Sequence, residues 1–296
     1  MALEHQIEVN ETSVRHALAN SFRSVDAGTH AWRGTTGTDA VVACDVLTGE
    51  DGRPYVRIWA DLMDVPELTG ELARTILIEN SNLVLGRLVH NGGRLRVEHA
   101  VLAGTTMAAV EVQASVWTVG WTASAYAERI DTLIHHSKPV PPVPEPPAAL
   151  RRDAAYHVEV TTQRVQRFLE ERFGGFQHDA DWGYHGGFGS ARVFVDVLPV
   201  LEDSTAVRAS SPVLSDVDLG DELALELIRL GQLGPFGVFS YLPSRREVWF
   251  EHAILGDDLD RVELESAIEV VAQVADGQDD ALASRFGGQR YADLTG

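Results

Sequence analysis

Apolar residues recur along this chain at two periods. Val14, Leu18 and Phe22 fall four apart, as do Val165, Leu169 and Phe173, the spacing of one face of an amphipathic helix. Met107, Val110, Ala114, Trp117 and Trp121 advance in steps of three and four, a single apolar stripe. Further helices are predicted from about Leu68 to Glu79, and from the Asp218-Leu-Gly-Asp-Glu222 cap through Leu223, Leu225, Leu227 and Ile228. Another covers roughly Leu259 to Ala275. Strands are predicted at 39–47, 55–60, 85–89 and 94–102, and again at 191–198, 206–210, 236–241 and 247–255. Gly49-Glu-Asp-Gly52, Asn91-Gly92-Gly93 and Pro243-Ser244 supply turns.

The pattern is written twice. Glu8-Val9 recurs as Glu159-Val160, Asp45-Val46-Leu47 as Asp196-Val197-Leu198, and Val56-Arg57 as Val207-Arg208, all at an offset of 151. Leu68, Glu71-Leu72 and Gly86 are matched by Leu219, Glu222-Leu223 and Gly237 at the same offset. Glu98-His99-Ala100 is answered by Glu251-His252-Ala253 at an offset of 153. A fixed offset over this length implies a duplicated domain.

Each copy reads helix, strands, helix, two strands, helix. Hairpin-joined strands give an antiparallel sheet with helices on one face, an α+β fold. Such a sheet can offer an uncovered face or an open edge to a peptide. The expected domains are 1–136 and 150–296, joined by a linker at 137–149. Six prolines between Ser137 and Pro147 favour polyproline II, a semi-rigid spacer of roughly 30 Å.

Composition narrows the function classes. The 296 residues are 45% hydrophobic and 23% charged, as expected of a soluble globular protein. A single cysteine allows no intrachain disulfide and fits a reducing, cytoplasmic setting. The first residues do not read as a signal peptide, and no stretch is apolar enough to span a bilayer. The net charge of −20 opposes nucleic acid and anionic membranes and favours basic or amphipathic partners.

Gly237-Val-Phe239, Glu251-His-Ala-Ile-Leu255, Val274-Ala-Asp276 and Arg285-Phe-Gly-Gly288, in this order of elements, resemble the YbjN family and the related type III secretion chaperone fold. The first copy departs from the pattern: Trp121 stands near the Ala-Asp position and no Phe-Gly-Gly follows. The resemblance implies a small sheet flanked by helices that binds segments of partner proteins without catalytic residues or a cofactor. Chaperones of this fold act as homodimers, so a tandem chain could hold two modules as an intramolecular pseudo-dimer.

No His-Glu-x-x-His, Cys-x-x-Cys or Gly-x-Ser-x-Gly occurs. Gly186-Gly-Phe-Gly189 precedes a predicted strand and lacks the helix N-terminus that would hold a phosphate. His178, Asp181 and His185 could ligate a divalent metal, the basis of an alternative reading as a small-molecule or metal-binding regulatory module. The blander reading of 178–185 is a polar loop. Arg57 and Arg208 could meet a carboxylate of a bound peptide or serve as solvated strand charges. Glu98-His99 and Glu251-His252 read as packing residues with one member facing solvent. Cys44, matched by Val195, reads as a small buried hydrophobe. Trp117 and Trp121 read as core or interface residues.

Overall fold

A computed structural model describes the chain apart from residues 1–5, 26–29, 50–51, 103–105, 136–138, 145–153, 180–182, 202–203, 258 and 295–296. The Gly49–Gly52 turn, Asp181 and much of the proline-rich segment fall wholly or partly outside the described residues. Residues 139–144 adopt neither helix nor strand.

The described elements run β1 (Gln6–Glu8), α1 (Glu11–Ala19), β2 (Arg23–Ser24), β3 (Trp32–Thr35), β4 (Val41–Thr48), β5 (Pro54–Asp64) and α2 (Gly70–Asn80). Next come β6 (Arg87–Asn91), β7 (Arg94–Leu102), β8 (Thr106–Ala108), α3 (Ala109–His135) and α4 (Ala154–Arg172). The remainder is β9 (Gln177–Asp179), β10 (Gly183–Phe188), β11 (Ala191–Leu201), β12 (Ser204–Leu214), α5 (Asp221–Gly231), β13 (Val238–Leu242), β14 (Glu247–Leu255), α6 (Arg261–Phe286) and α7 (Tyr291–Leu294). Two six-stranded antiparallel sheets, ordered β2-β3-β4-β5-β7-β6 and β9-β10-β11-β12-β14-β13, carry the helices, an α+β fold.

The chain divides into two compact units. Unit 1 is Met1–Leu68 with Leu85–Pro144, and unit 2 is Thr69–Val84 with Glu145–Gly296. In unit 1, α1 starts where the Asn10 side chain accepts a hydrogen bond from Ser13 N at 2.9 Å, and it buries Val14, Ala17 and Leu18. The helix stops at Ala19, so Phe22, expected on its stripe, lies beyond it and contacts Trp32 at 6.1 Å between centroids. The core of α3 also differs from the expected stripe. Val112, Val116, Val119, Ala123, Tyr126 and Ile130 form the buried face, whereas Val110 is exposed and Trp117 and Trp121 are half-buried, stacked at 6.5 Å. The single stripe read from the spacing is therefore not the buried face of the helix, which lies on the neighbouring positions that meet the sheet.

In unit 2, α2 packs beside α5 and β13, with Asn80 Nδ2 donating to Phe239 O at 3.5 Å and Arg74 paired with Asp221. Helix α5 buries Leu223, Ala224, Leu227 and Ile228 and starts at Gly220, which gives no side-chain cap. Helix α6 begins at a capping box: Glu263 N donates to Asp260 Oδ1 at 2.8 Å, and Asp260 N to Glu263 Oε2 at 3.3 Å. It buries Leu264, Ala267, Ile268, Val271, Ala272, Ala275 and Leu282.

Candidate functional site

The site is a sheet margin in unit 2. Helix α4 seats Val165 and Leu169 in the core. The Thr161 and Thr205 hydroxyls, 2.9 Å apart, and Arg164 donating to Asp257 O at 2.5 Å tie that helix to β12 and to the segment after β14. The chain leaves α4 through Phe173-Gly-Gly-Phe176 and enters β9, which ends the sheet among the described residues. Phe173, Phe176 and Phe188 gather there with centroids 5.5, 5.5 and 6.0 Å apart, each ring half-buried. Gly186 makes the cluster possible, because a Cβ there would lie 2.9 Å from the Phe176 ring.

The sequence reads 178–185 as a polar loop and Gly186-Gly-Phe-Gly189 as a glycine-rich stretch before a strand. Two strands stand there instead: β10 pairs with β11 from Tyr184↔Val195 to Phe188↔Ala191, and with β9 from Gly183↔Asp179 to His185↔Gln177. Low strand propensity is overridden by the ladder that β11 provides. At the β10–β11 turn, Ser190 N donates to Asp276 Oδ1 at 2.6 Å. The Ser190 hydroxyl lies 2.7 Å from both Asp276 Oδ1 and Asp279 Oδ2. These bonds hold the Asp276 carboxyl below the usual carboxylate range.

The register divides the margin into two faces. Opposed residues of an antiparallel pair share a face. Tyr184 and His178 therefore face one way, with ring centroids 4.9 Å apart, and His185 and Phe194 the other, 5.9 Å apart. His178 and His185 are thus not brought together, and Asp181 lies outside the described residues. Arg192 Nη2 lies 2.8 Å from His185 Nδ1. Burial, then the Arg192 charge, lowers the His185 pKa, so the neutral ring accepts the bond. No group of three or more His, Cys, Asp or Glu side chains could hold a metal among the described residues.

Further along the His185 face runs a polar row. Arg208 donates to Asp196 Oδ2 from Nε at 3.0 Å and Nη2 at 2.8 Å, and from Nη1 to Glu251 Oε2 at 3.4 Å. Glu251 also accepts from the Ser240 hydroxyl. Burial raises the Glu251 pKa against the pull of Arg208. In unit 1, Arg57 Nη2 lies 3.4 Å from Asp45 Oδ2, and its guanidinium stands 5.0 Å from the Trp59 ring centroid. Both arginines proposed for peptide contact therefore already hold carboxylates of their own sheets.

The Glu-His pairs differ from expectation. Glu98, His99, Glu251 and His252 are all buried, at 4, 5, 9 and 7% exposure. Arg87 Nη2 reaches Glu98 Oε1 at 2.7 Å, and burial with the Arg87 charge brings His99 down to a pKa of about 4. Cys44 is fully buried, its thiol pKa raised by burial and by Asp45. Sequence reasoning missed the phenylalanine cluster and the Ser190 contacts. Phe173 falls on a helical spacing and Phe188 in the Gly186–Gly189 stretch, and only the fold brings them together.

No curated protein matches the chain. Among solved structures, the crystal structure of the di-domain ARO/CYC BexL from the BE-7585A biosynthetic pathway aligns with 93% of this chain and 96% of that chain at 11% identity. Its TM-score of 0.11 carries no argument about the fold. No helix among the described residues is long and apolar enough to cross a membrane. A family model described as "T3SS (YopN, CesT) and YbjN peptide-binding chaperone 1" matches residues 159–294. The motif residues have structural roles there: Phe239 packs on Phe250 at 4.9 Å, Asp276 holds the Ser190 turn, and Phe286-Gly-Gly288 closes α6. Residues 159–294 thus carry a YbjN-like, type III secretion chaperone-like domain.

Proposed function

We propose that residues 150–296 form a non-enzymatic, cytoplasmic chaperone-like module that takes an extended segment of a partner protein alongside β9, the strand that ends the sheet among the described residues. The observation that carries this reading is the three-phenylalanine cluster beside the terminal strand of the sheet. Strand addition would supply backbone hydrogen bonds, and alternate side chains of the added segment would meet the cluster. The net charge of −20 favours a basic or amphipathic segment. The family description, a peptide-binding chaperone, agrees with this function. Residues 1–136 form a diverged first module on the same reading, joined through a spacer at 137–149.

The test uses the full chain and an array of extended peptides that alternate apolar with basic residues. Bound peptides are measured again against Phe176→Ser and Phe188→Ser, with far-UV circular dichroism to verify folding. Weakening by about tenfold, worth 1.4 kcal/mol, is expected. Peptides that bind folded variants as tightly as the unaltered chain refute the β9 assignment, and an array with no binder refutes the function.

A further inference from the structure

The face of the unit 2 sheet opposite the phenylalanine cluster holds an aromatic site that is already occupied. Phe194, on β11, is flanked by His185 at 5.9 Å and by Trp249 at 5.7 Å between ring centroids. The Tyr291 ring meets Phe194 edge-on, at 6.2 Å and 89°. Phe194 and Trp249 are 6 and 8% exposed. Edge-to-face is a preferred approach of aromatic rings, and here the Tyr291 ring makes it to Phe194.

The segment that fills the site is weakly built. α7 has four residues and none is buried: Tyr291 and Ala292 are half-buried, and Asp293 and Leu294 are exposed. Such a turn has no helical stability of its own. It is held at its start by Gln289, whose N–H and C=O exchange 2.8 Å bonds with Ser215. Arg290 adds bonds to Asp293 at 2.7 and 2.9 Å and to Asp280 of α6 at 2.5 Å. Asp280 is 79% exposed, and ion pairs of this kind contribute little. A segment with few buried contacts opens more readily than the α6 helix before it.

We infer that the surface at Phe194, a ring flanked by His185 and Trp249, is a second docking point for partner segments, covered here by Tyr291 as an intramolecular stand-in. The partner it fits carries a basic residue followed directly by an aromatic one, as in Arg290-Tyr291, with Asp280 receiving the cation. This deepens the peptide-binding reading proposed above and rests on it. Because Tyr291 must leave first, the apparent affinity of an incoming segment is reduced by the fraction of chains in which the site is open.

The test is fluorescence anisotropy with a labelled peptide copying residues 287–294, measured against the full chain and its Tyr291→Ala variant. The variant is expected to bind about tenfold more tightly than the unaltered chain. A peptide with alanine in place of the tyrosine loses that binding, and one with alanine in place of the arginine binds only slightly more weakly, the exposed ion pair to Asp280 contributing little. In the unaltered chain, saturating peptide raises amide hydrogen exchange over residues 289–294, a readout that does not depend on the variant folding. Equal binding to both chains, absence of binding to a folded variant, or unchanged exchange at saturation each overturns the proposal. Peptides from the β9 array that bind Tyr291→Ala and the unaltered chain alike leave strand addition standing while removing this site from it.

Discussion

The carboxylate of Asp276 stands against the α-carbon of Gly189, so that a Cβ at Gly189 would collide with it. Gly189 has φ +58°, in the left-handed region, and the next residue, Ser190, gives Asp276 its backbone N–H at 2.6 Å. Gly189→Ala should therefore combine backbone strain with a steric clash, costing about 1–3 kcal/mol of stability. Urea unfolding of the full chain measures it. In an Asp276→Ala background the collision is gone, so the same substitution should cost less. An equal cost in both backgrounds would show that the carboxylate does not set the requirement for glycine.

His99 gives a pH dependence of definite sign. Burial and the Arg87 charge lower its pKa from 6.5 to about 4. The unfolded chain therefore binds this proton more readily than the folded one. The contribution is intact above pH 6.5 and is lost as pH falls from 6.5 towards 4, reaching about 3 kcal/mol for a shift of this size. His99→Gln removes the titrating group. The unfolding free energy of the unaltered chain minus that of the variant should fall by roughly this amount between pH 7.5 and pH 4. A difference that stays flat with pH would place His99 in contact with water.

Local pattern was legible where a segment's own period matched its burial. Strands β7 and β14 coincide with their predicted limits, 94–102 and 247–255, and α1, α2, α4 and α5 lie close to their predicted positions. The pattern failed where a neighbour overrode it. Gly183–Phe188 has little strand propensity and is a strand because β11 pairs with it and Gly186 admits the Phe176 ring. Helix α3 runs to His135 along a buried face other than the tryptophan stripe. The margin beside β9 was the least legible part, since it joins Phe173 to Phe188, and Ser190 to Asp276 across 86 positions. No local period records such contacts.

Arg208 and Glu251 should respond unequally to substitution. Burial raises the Glu251 pKa in the folded chain, while Arg208 and the Ser240 hydroxyl pull it down. A raised carboxyl pKa means that the neutral form suits the fold better. The contribution is present below pH 4.5 and is lost as pH rises through the folded value. Glu251→Gln resembles the neutral acid and can still accept from Ser240, so its cost at pH 7 should stay within about 1 kcal/mol. Arg208→Leu instead leaves Asp196 and Glu251 without the cation they share. The Arg208 side chain is 27% exposed, so the cost falls below that of a fully buried pair, at about 2 kcal/mol. That cost should shrink as the pH is lowered and Glu251 takes up a proton, and it should be smaller in a Glu251→Gln background. Unfolding curves of the two single variants and the double variant at pH 5 and pH 7.5 measure these terms together. A larger cost for Glu251→Gln than for Arg208→Leu would mean that Glu251 is held ionised, and that the row across β11, β12 and β14 is a salt-bridge network with no neutral acid in it.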